Sequence, residues 1–413
     1  MKPLHVTLIS FLLLQAAGSI AQQSSPSGGS SLNADVSTIA QESNAFAVDL
    51  YGKLSSEPGN LFFSPASVST AFAMAYAGAR GTTASEMAST LHFALPPDRL
   101  HPAMGALLAD LNGPHQNYEL HMANALWAAQ DQHFLPDYTT LMKTDYGAGF
   151  QPVDFRANPE AARALINNWV ADQTQQKILN LVPSGSVTAY TRLILTNAIY
   201  FKSAWAEQFS KSQTQSDDFH LSAAKSVKAP LMHQTKGYSF FRGPSFQALE
   251  LPYLRNELSM IVLLPDSPNG LPALEKSLTA ANLDKWIGSL SYEETVIVTI
   301  PSFKITQQFE LSSVLESLGM KQAFESGAAD FSAITGDKSF SISAAIHKAY
   351  IDVDEEGTEA AAATAVMMVG SAMRQAPPPP PIVFRADHPF LFLIRDNSSG
   401  AILFLGRLTD PTK

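Results

Sequence analysis

The chain has 413 residues, 46% of them hydrophobic and 15% charged, so it carries enough apolar side chain to bury a large core. A formal net charge of -10 and a pI near 5.5 argue against nucleic acid and against an anionic membrane as partners. No cysteine occurs, which excludes disulfides, thiolate metal sites, a cysteine nucleophile and lipidation on cysteine.

In chain order, residues 1–21 read as an export leader. Lys2 and His5 precede an apolar run over 6–14, and Ser19-Ile20-Ala21 has the small-x-small form of a cleavage site. The run is too short to cross a bilayer, which takes about 20 apolar residues. Removal of the leader predicts a secreted or periplasmic protein. Residues 22–36, rich in Ser, Gly and Gln, are expected to be a flexible tether. From Ser43 the pattern turns helical, with Phe46, Leu50 and Leu54 on one face and Glu57-Pro58-Gly59-Asn60 closing it. In Leu61-Phe62-Phe63-Ser64-Pro65-Ala66-Ser67-Val68, Ser64 is placed to cap a helix whose first residue is proline. Ala71, Phe72, Ala75 and Ala79 continue it as a small-residue helix suited to burial beneath a sheet. A second start follows, with a capping box expected from Thr83 to Glu86.

Met122-Ala123-Asn124-Ala125-Leu126-Trp127 reads as a strand, and residues 193–205 form an apolar run of the kind a fully buried central strand needs. Strands dominate residues 227–265, with Pro252 and Asn256 punctuating a hairpin, and another strand covers 295–301. Leu311, Leu315 and Leu318 with Gly319 make a capped helix. Residues 341–353 alternate, and His347 falls on the apolar side, where an imidazole is expected to be a hydrogen-bonded core group rather than a ligand or base.

The next stretch, Asp354-Glu355-Glu356-Gly357-Thr358-Glu359-Ala360-Ala361-Ala362-Ala363-Thr364-Ala365, has the wrong composition for an ordinary loop. With period two, Thr358, Ala360, Ala362, Thr364, Val366 and Met368 share one face while Glu359 falls on the other. No proline interrupts it before Arg374, so nothing steric forbids it from pairing as a strand. Alanine is nevertheless a poor strand former. The segment can enter a sheet without being driven there locally. Beyond it lie Pro377-Pro378-Pro379-Pro380-Pro381 and two apolar strands around Asp396-Asn397-Ser398-Ser399-Gly400.

Three words in this order resemble the serpin family: the Asn60 to Ser67 block, the Gly357 to Ala365 stretch, and Asp387-His388-Pro389-Phe390-Leu391-Phe392 with the closing Phe404-Leu405-Gly406-Arg407. The resemblance runs from about Asn44 to Pro411. It implies an α+β serpin fold over residues 37–413: a large mixed central β-sheet, two further sheets, eight or nine helices, and an exposed reactive-centre loop over about 355–383. It implies a monomeric, exported inhibitor that baits a serine protease, or a cysteine protease, as a suicide substrate. Such a protein needs no catalytic residue, no cofactor and no metal, and none of the common enzyme motifs is present.

By the same resemblance Glu355, Gly357, Thr358, Glu359, Ala360, Ala361, Ala362, Ala363 and Thr364 form the loop's hinge. Ser64, Ser67, Asn197 and His347 fall in the hydrogen-bonded cluster called the shutter, and Trp205 lies near the top of the sheet where insertion begins. Gln176 stands where members usually carry glycine. Counting from Gly357 places the reactive bond at Ser371-Ala372, suited to an elastase-like or subtilisin-like target. The segment before Asp387 is longer than usual, which keeps Met373-Arg374 and Arg374-Gln375 as alternatives, the last implying a trypsin-like protease. The other functional class is a non-inhibitory serpin used for carriage, storage or chaperoning; the small hinge residues favour inhibition.

Overall fold

Local chemistry sets the first elements. The Ser64 side chain accepts from the Ser67 amide at 3.2 Å and Pro65 occupies the first turn, so the helix Pro65–Gly78 starts where its unpaired amides can be satisfied. This helix is buried almost throughout, as its small residues require. The computed structural model describes residues 28–147, 149–358 and 380–413. The leader, residues 359–364 of the hinge and the candidate bonds at Ser371, Ala372, Met373 and Arg374 lie outside the described residues.

Among the described residues there are ten α-helices, against the eight or nine expected, and two hydrogen-bonded sheets. The mixed sheet expected at the centre is six-stranded, in the spatial order Phe303–Glu310, Ala344–Val353, Gly357–Thr358, Leu193–Ala204, Tyr118–Ala129, Phe150–Val153. The remaining strands form one nine-stranded sheet rather than two separate ones. Continuity comes from the 18-residue strand Lys225–Arg242, which pairs with Ser291–Pro301 on both sides of an irregularity between Lys236 and Tyr238. A bulge of this kind turns a strand without ending it. One hydrophobic cluster runs from Ile39 to Leu408 and joins both sheets.

Two expectations fail on long-range contacts. The first helix spans Gly28–Leu54, so the second half of the expected tether, residues 28–36, is helical. Asp35 is buried there and accepts from Arg99 Nε at 3.1 Å, tying the helix start to the helix Pro97–Leu111. The capping box is also absent: the helix Gly81–Thr90 has no side-chain cap. Thr83 instead accepts from the Asp330 amide at 2.9 Å, and Glu86 accepts from the amides of Lys321 and Gln322 at 2.8 and 2.7 Å. The hairpin at 252–258 turns through Arg255 and Asn256, both left-handed at φ 62° and 61°.

Candidate functional site

The six-stranded sheet is open at one end. Ala344–Val353 and Leu193–Ala204 pair directly and in parallel only from Ala344 with Ile194 to Ala349 with Ile199. Above that point they separate, and Gly357 and Thr358 lie between them. Gly357 pairs antiparallel with Ala204, and Thr358 pairs with both Ser203 and Val353. Parallel pairing is slightly weaker per residue than antiparallel. The opening therefore ends on the weaker kind of contact.

Backbone geometry fixes the residue type at the entry. Gly357 has φ +154°, and a Cβ on it would meet the Ser203 carbonyl oxygen at 2.1 Å and Ala204 Cα at 2.7 Å. Only glycine lets the chain approach this closely. The turn before it is held by Asp354, whose Oδ1 accepts from the amides of Glu356 and Gly357 at 2.8 and 3.1 Å. Burial holds the Asp354 carboxyl above its ordinary value despite these amides.

Thr358 is fully buried, with its hydroxyl 2.7 Å from Tyr253 Oη. Tyr253 stacks on Trp205 at 4.6 Å between ring centroids, and Trp205 Nε1 donates to the Asp354 carbonyl at 2.9 Å. The acidic pair beside the turn is gripped from outside: Thr214 Oγ1 donates to Glu355 at 2.6 Å, and Lys211 pairs with Glu356 at 2.5 Å. The structure thus brings Trp205 together with Glu355, Gly357 and Thr358.

Six residues below Thr358, the same sheet carries a buried polar row. Asn124, Asn197 and His347 occupy matching register positions on three adjacent strands, with Phe309 stacked on His347 at 6.3 Å on a fourth. Ser64 and Ser67, at the N-terminus of Pro65–Gly78, meet the row from beneath. The Ser64 amide donates to His347 Nε2 at 3.0 Å, which leaves Nδ1 to carry the proton and donate to Asn197 Oδ1. Asn197 Nδ2 donates to Ser67 Oγ at 2.6 Å, and Ser67 Oγ donates to Asn124 Oδ1 at 2.9 Å. Burial pushes the His347 pKa down to about 3, so the ring is neutral. Ser64, Ser67, Asn197 and His347 therefore form one cluster, and Trp205 belongs to the other.

Asn124 is the member that sequence reasoning passed over. An asparagine inside the apolar word 122–127 was the available signal, because a buried amide must find partners. Tyr253 and Thr214 were also missed, since their partners are distant in sequence, and Asp354 was missed although its carboxylate serves amides only two and three residues away. Gln176, at the end of the helix Pro159–Gln173, has φ 63°, and Gln175 before it has φ 49°. A left-handed position is one that glycine takes without strain.

A fold in which Gly357 and Thr358 sit between two strands of a mixed sheet defines a class, and the comparisons agree on it. The family model described as "Serpin (serine protease inhibitor)" matches residues 41–411, and the chain belongs to this family. It thereby stands among protease inhibitors and not among enzymes. Relatives include leukocyte elastase inhibitors: the Homo sapiens protein is 40% identical over 90% of this chain and 99% of its own length, and that of Equus caballus 42% over 89% and 97%. Similar solved structures include maspin, with a TM-score of 0.84 at 28% identity over 92% of this chain and 100% of the other, and Serpin48 of Tenebrio molitor, with 0.80 at 33% over 90% and 98%.

Proposed function

We propose that this protein inhibits an elastase-like serine protease as a suicide substrate, and that cleavage of its loop lets residues beyond Thr358 enter the six-stranded sheet. The observation that carries the reading is the seating of Gly357 and Thr358 above a parallel pair. Continuing their register from either neighbour gives the same result: residues 359–367 would descend to the level of Ala344 and Ile194. Thr364 then falls between His347 and Asn197, on the buried face it shares with Thr358. Glu359 falls between Lys202 and Asp352 on the other face. Insertion would replace a parallel contact by antiparallel ladders on both sides, each net backbone hydrogen bond contributing about 1 kcal/mol.

The protease supplies the chemistry. Its own serine attacks the bait carbonyl, the new amine leaves, and the acyl-enzyme is carried away before water can release it. The names of the relatives support an elastase-like target, and with it a bond at Ser371-Ala372 ahead of Met373-Arg374 or Arg374-Gln375. Export after removal of residues 1–21 rests on the leader alone; N-terminal sequencing of the mature protein should begin at Gln22. Incubation with elastase, subtilisin and trypsin, denaturing electrophoresis, and mass measurement of the released C-terminal peptide test inhibition and bond together. Turnover of every protease without a denaturation-stable complex would refute the inhibitory reading.

A further inference from the structure

The end of the six-stranded sheet away from Thr358 carries a cavity that neither the hinge nor the polar row uses. Its volume is about 510 Å³, and it lies where Tyr118–Ala129 and Phe150–Val153 end and Leu193–Ala204 begins. The middle strand is bonded to both neighbours there. The Ala129 amide donates to the Arg192 carbonyl at 2.9 Å, and the Gln130 amide donates to the Val153 carbonyl at 3.0 Å. Ala129, Val153, Phe155, Ala157 and Ala189 give the cavity an apolar wall, with Phe155 only 1% exposed.

Four charged side chains also line it. Arg156 pairs with Asp131 at 3.7 Å, whereas Arg192 and Asp154 form no ion pair among the described residues. Arg192 turns only Nη1 back on its own turn, toward the carbonyls of Ala189 and Thr191 at 3.5 and 3.3 Å, so Nε and Nη2 keep their donors. Its backbone is fixed, the amide donating to Ser343 Oγ at 3.0 Å and the carbonyl accepting from Ala129. Asp154 spends Oδ1 on the amides of Arg156 and Ala157 at 3.1 and 2.9 Å, and Oδ2 accepts from none of the described residues. Thr191, 5% exposed, accepts from the Thr188 amide at 2.9 Å, while its own hydroxyl proton has no acceptor among the described residues. A buried hydroxyl ordinarily donates as well as accepts. The cavity thus has unspent donors on one side, at Arg192 and Thr191, and an unspent acceptor on the other, at Asp154.

We propose that this cavity binds a short apolar peptide as a zwitterion, its C-terminal carboxylate on the Arg192 guanidinium and Thr191 hydroxyl and its ammonium on Asp154 Oδ2. Charge decides the class of ligand. A simple anion would meet the carboxylates of Asp131 and Asp154, and a simple cation the guanidinia of Arg156 and Arg192; a ligand with one charge of each sign satisfies both unpaired groups. The planar guanidinium also matches a carboxylate with two parallel hydrogen bonds. Spacing sets the length. Asp154 and Arg192 adjoin strands on either side of Ala129, two strand spacings apart, which puts their backbones about 10 Å from each other. An extended dipeptide spans at most about 7 Å, leaving the remainder to the two protein side chains. The apolar wall takes the peptide's own side chains, and the volume lies within the range of small-ligand sites.

The site does not rest on the inhibitory reading, and its test uses the full chain with the loop intact and no protease present. The protein is titrated calorimetrically with leucyl-leucine, with the C-terminal amide of that dipeptide and with its N-acetyl form. Arg192→Gln and Asp154→Asn are titrated with leucyl-leucine beside them, with thermal unfolding as a check on folding; asparagine keeps the Oδ1 acceptor of the turn and removes only the charge. The expected result is saturable binding of leucyl-leucine with a Kd of about 1 mM or tighter, weakened about tenfold or more by each modification and by each variant. Should a variant fail to fold, the two modified peptides make the same comparison on the unaltered chain. Absence of saturable binding up to about 10 mM would overturn the site. Binding within about twofold of leucyl-leucine for the acetylated peptide, or within about twofold of the unaltered chain for both folded variants, would overturn the zwitterionic assignment to Arg192 and Asp154.

Discussion

Thr358→Arg is the most direct perturbation of the hinge. The threonine is fully buried, paired on both edges and bonded to a tyrosine that is itself buried against Trp205. An arginine there has two choices. It stays in place as an unpaired buried charge, at about 3–5 kcal/mol, or it leaves the sheet and gives up two edges of backbone pairing. Expulsion relieves the buried charge, and the first step of insertion must then rebury it against about 3 kcal/mol or more. Since each 1.36 kcal/mol is tenfold in rate, insertion should slow by at least about 100-fold while hydrolysis of the acyl-enzyme keeps its own rate. The variant should be cleaved as a plain substrate. The assay is titration of elastase with inhibitor, read as residual activity and as denaturation-stable complex. Thr358→Val is the control: it preserves shape and removes one hydroxyl, so it should lose about 1–3 kcal/mol of local stability and retain most inhibition. Full complex yield from Thr358→Arg would refute the claim that this position must enter the sheet.

Gly357→Ala should expel the entry point, because its Cβ would overlap the Ser203 carbonyl oxygen; the check is loss of complex yield with retained folding, and unchanged yield would count against it. Gln176→Gly should stabilise the fold by about 1 kcal/mol, seen as a higher urea midpoint, since it relieves one of two adjacent left-handed glutamines at the loss of one exposed bond to Asp172. His347 and His101 are buried with pKa values pushed down by burial to about 3 and about 4, below the ordinary value of 6.5. The unfolded chain therefore binds more protons between those limits, and stability rises with pH across roughly pH 4 to 6.5. Each histidine contributes a slope of up to about 1.4 kcal/mol per pH unit there, so His101→Phe should flatten the acid limb in unfolding measured from pH 4 to 7. An unaltered slope would show that other groups dominate it.

What was legible in the sequence is what a few neighbouring residues decide by themselves. Ser64 with Pro65 starts a helix because the cap and the missing amide act within one turn. Gly319 ends one at φ 120° for an equally local reason. The apolar run at 193–205 and the alternation at 341–353 announced central strands, and the placement of His347 among apolar positions announced a buried ring. The rest depended on partners far along the chain. Residues 28–36 have a tether's composition, yet Asp35 meets Arg99 and the helix extends. Thr83 and Glu86 have a capping box's spacing, yet both are taken by backbone amides about 240 residues away in sequence. Asn124 looks like an accident in an apolar strand until Asn197 and Ser67 are set beside it.

The composition of the hinge follows from the sheet it borders. Under the proposed mechanism the strand pair below Thr358 has two incompatible demands on it. It must stay closed while the loop is intact and open quickly once the loop is cut. Parallel pairing over six residue pairs, with the neutral His347 bonded across it to Asn197, supplies a contact that holds but is weaker than what would replace it. A hinge of valines or isoleucines would be drawn in early by its own strand preference, and a hinge with charges on the buried face would be kept out after cleavage. Alanine sits between these limits: small enough to pass between Ala344–Val353 and Leu193–Ala204, and too poor a strand former to start the process alone. The two threonines then mark its ends. Thr358 is bonded to Tyr253 at the entry, and on the proposed insertion the register would carry Thr364 to the level of His347 and Asn197, where a hydroxyl could accept from the ring and donate to the amide that face each other in the intact chain.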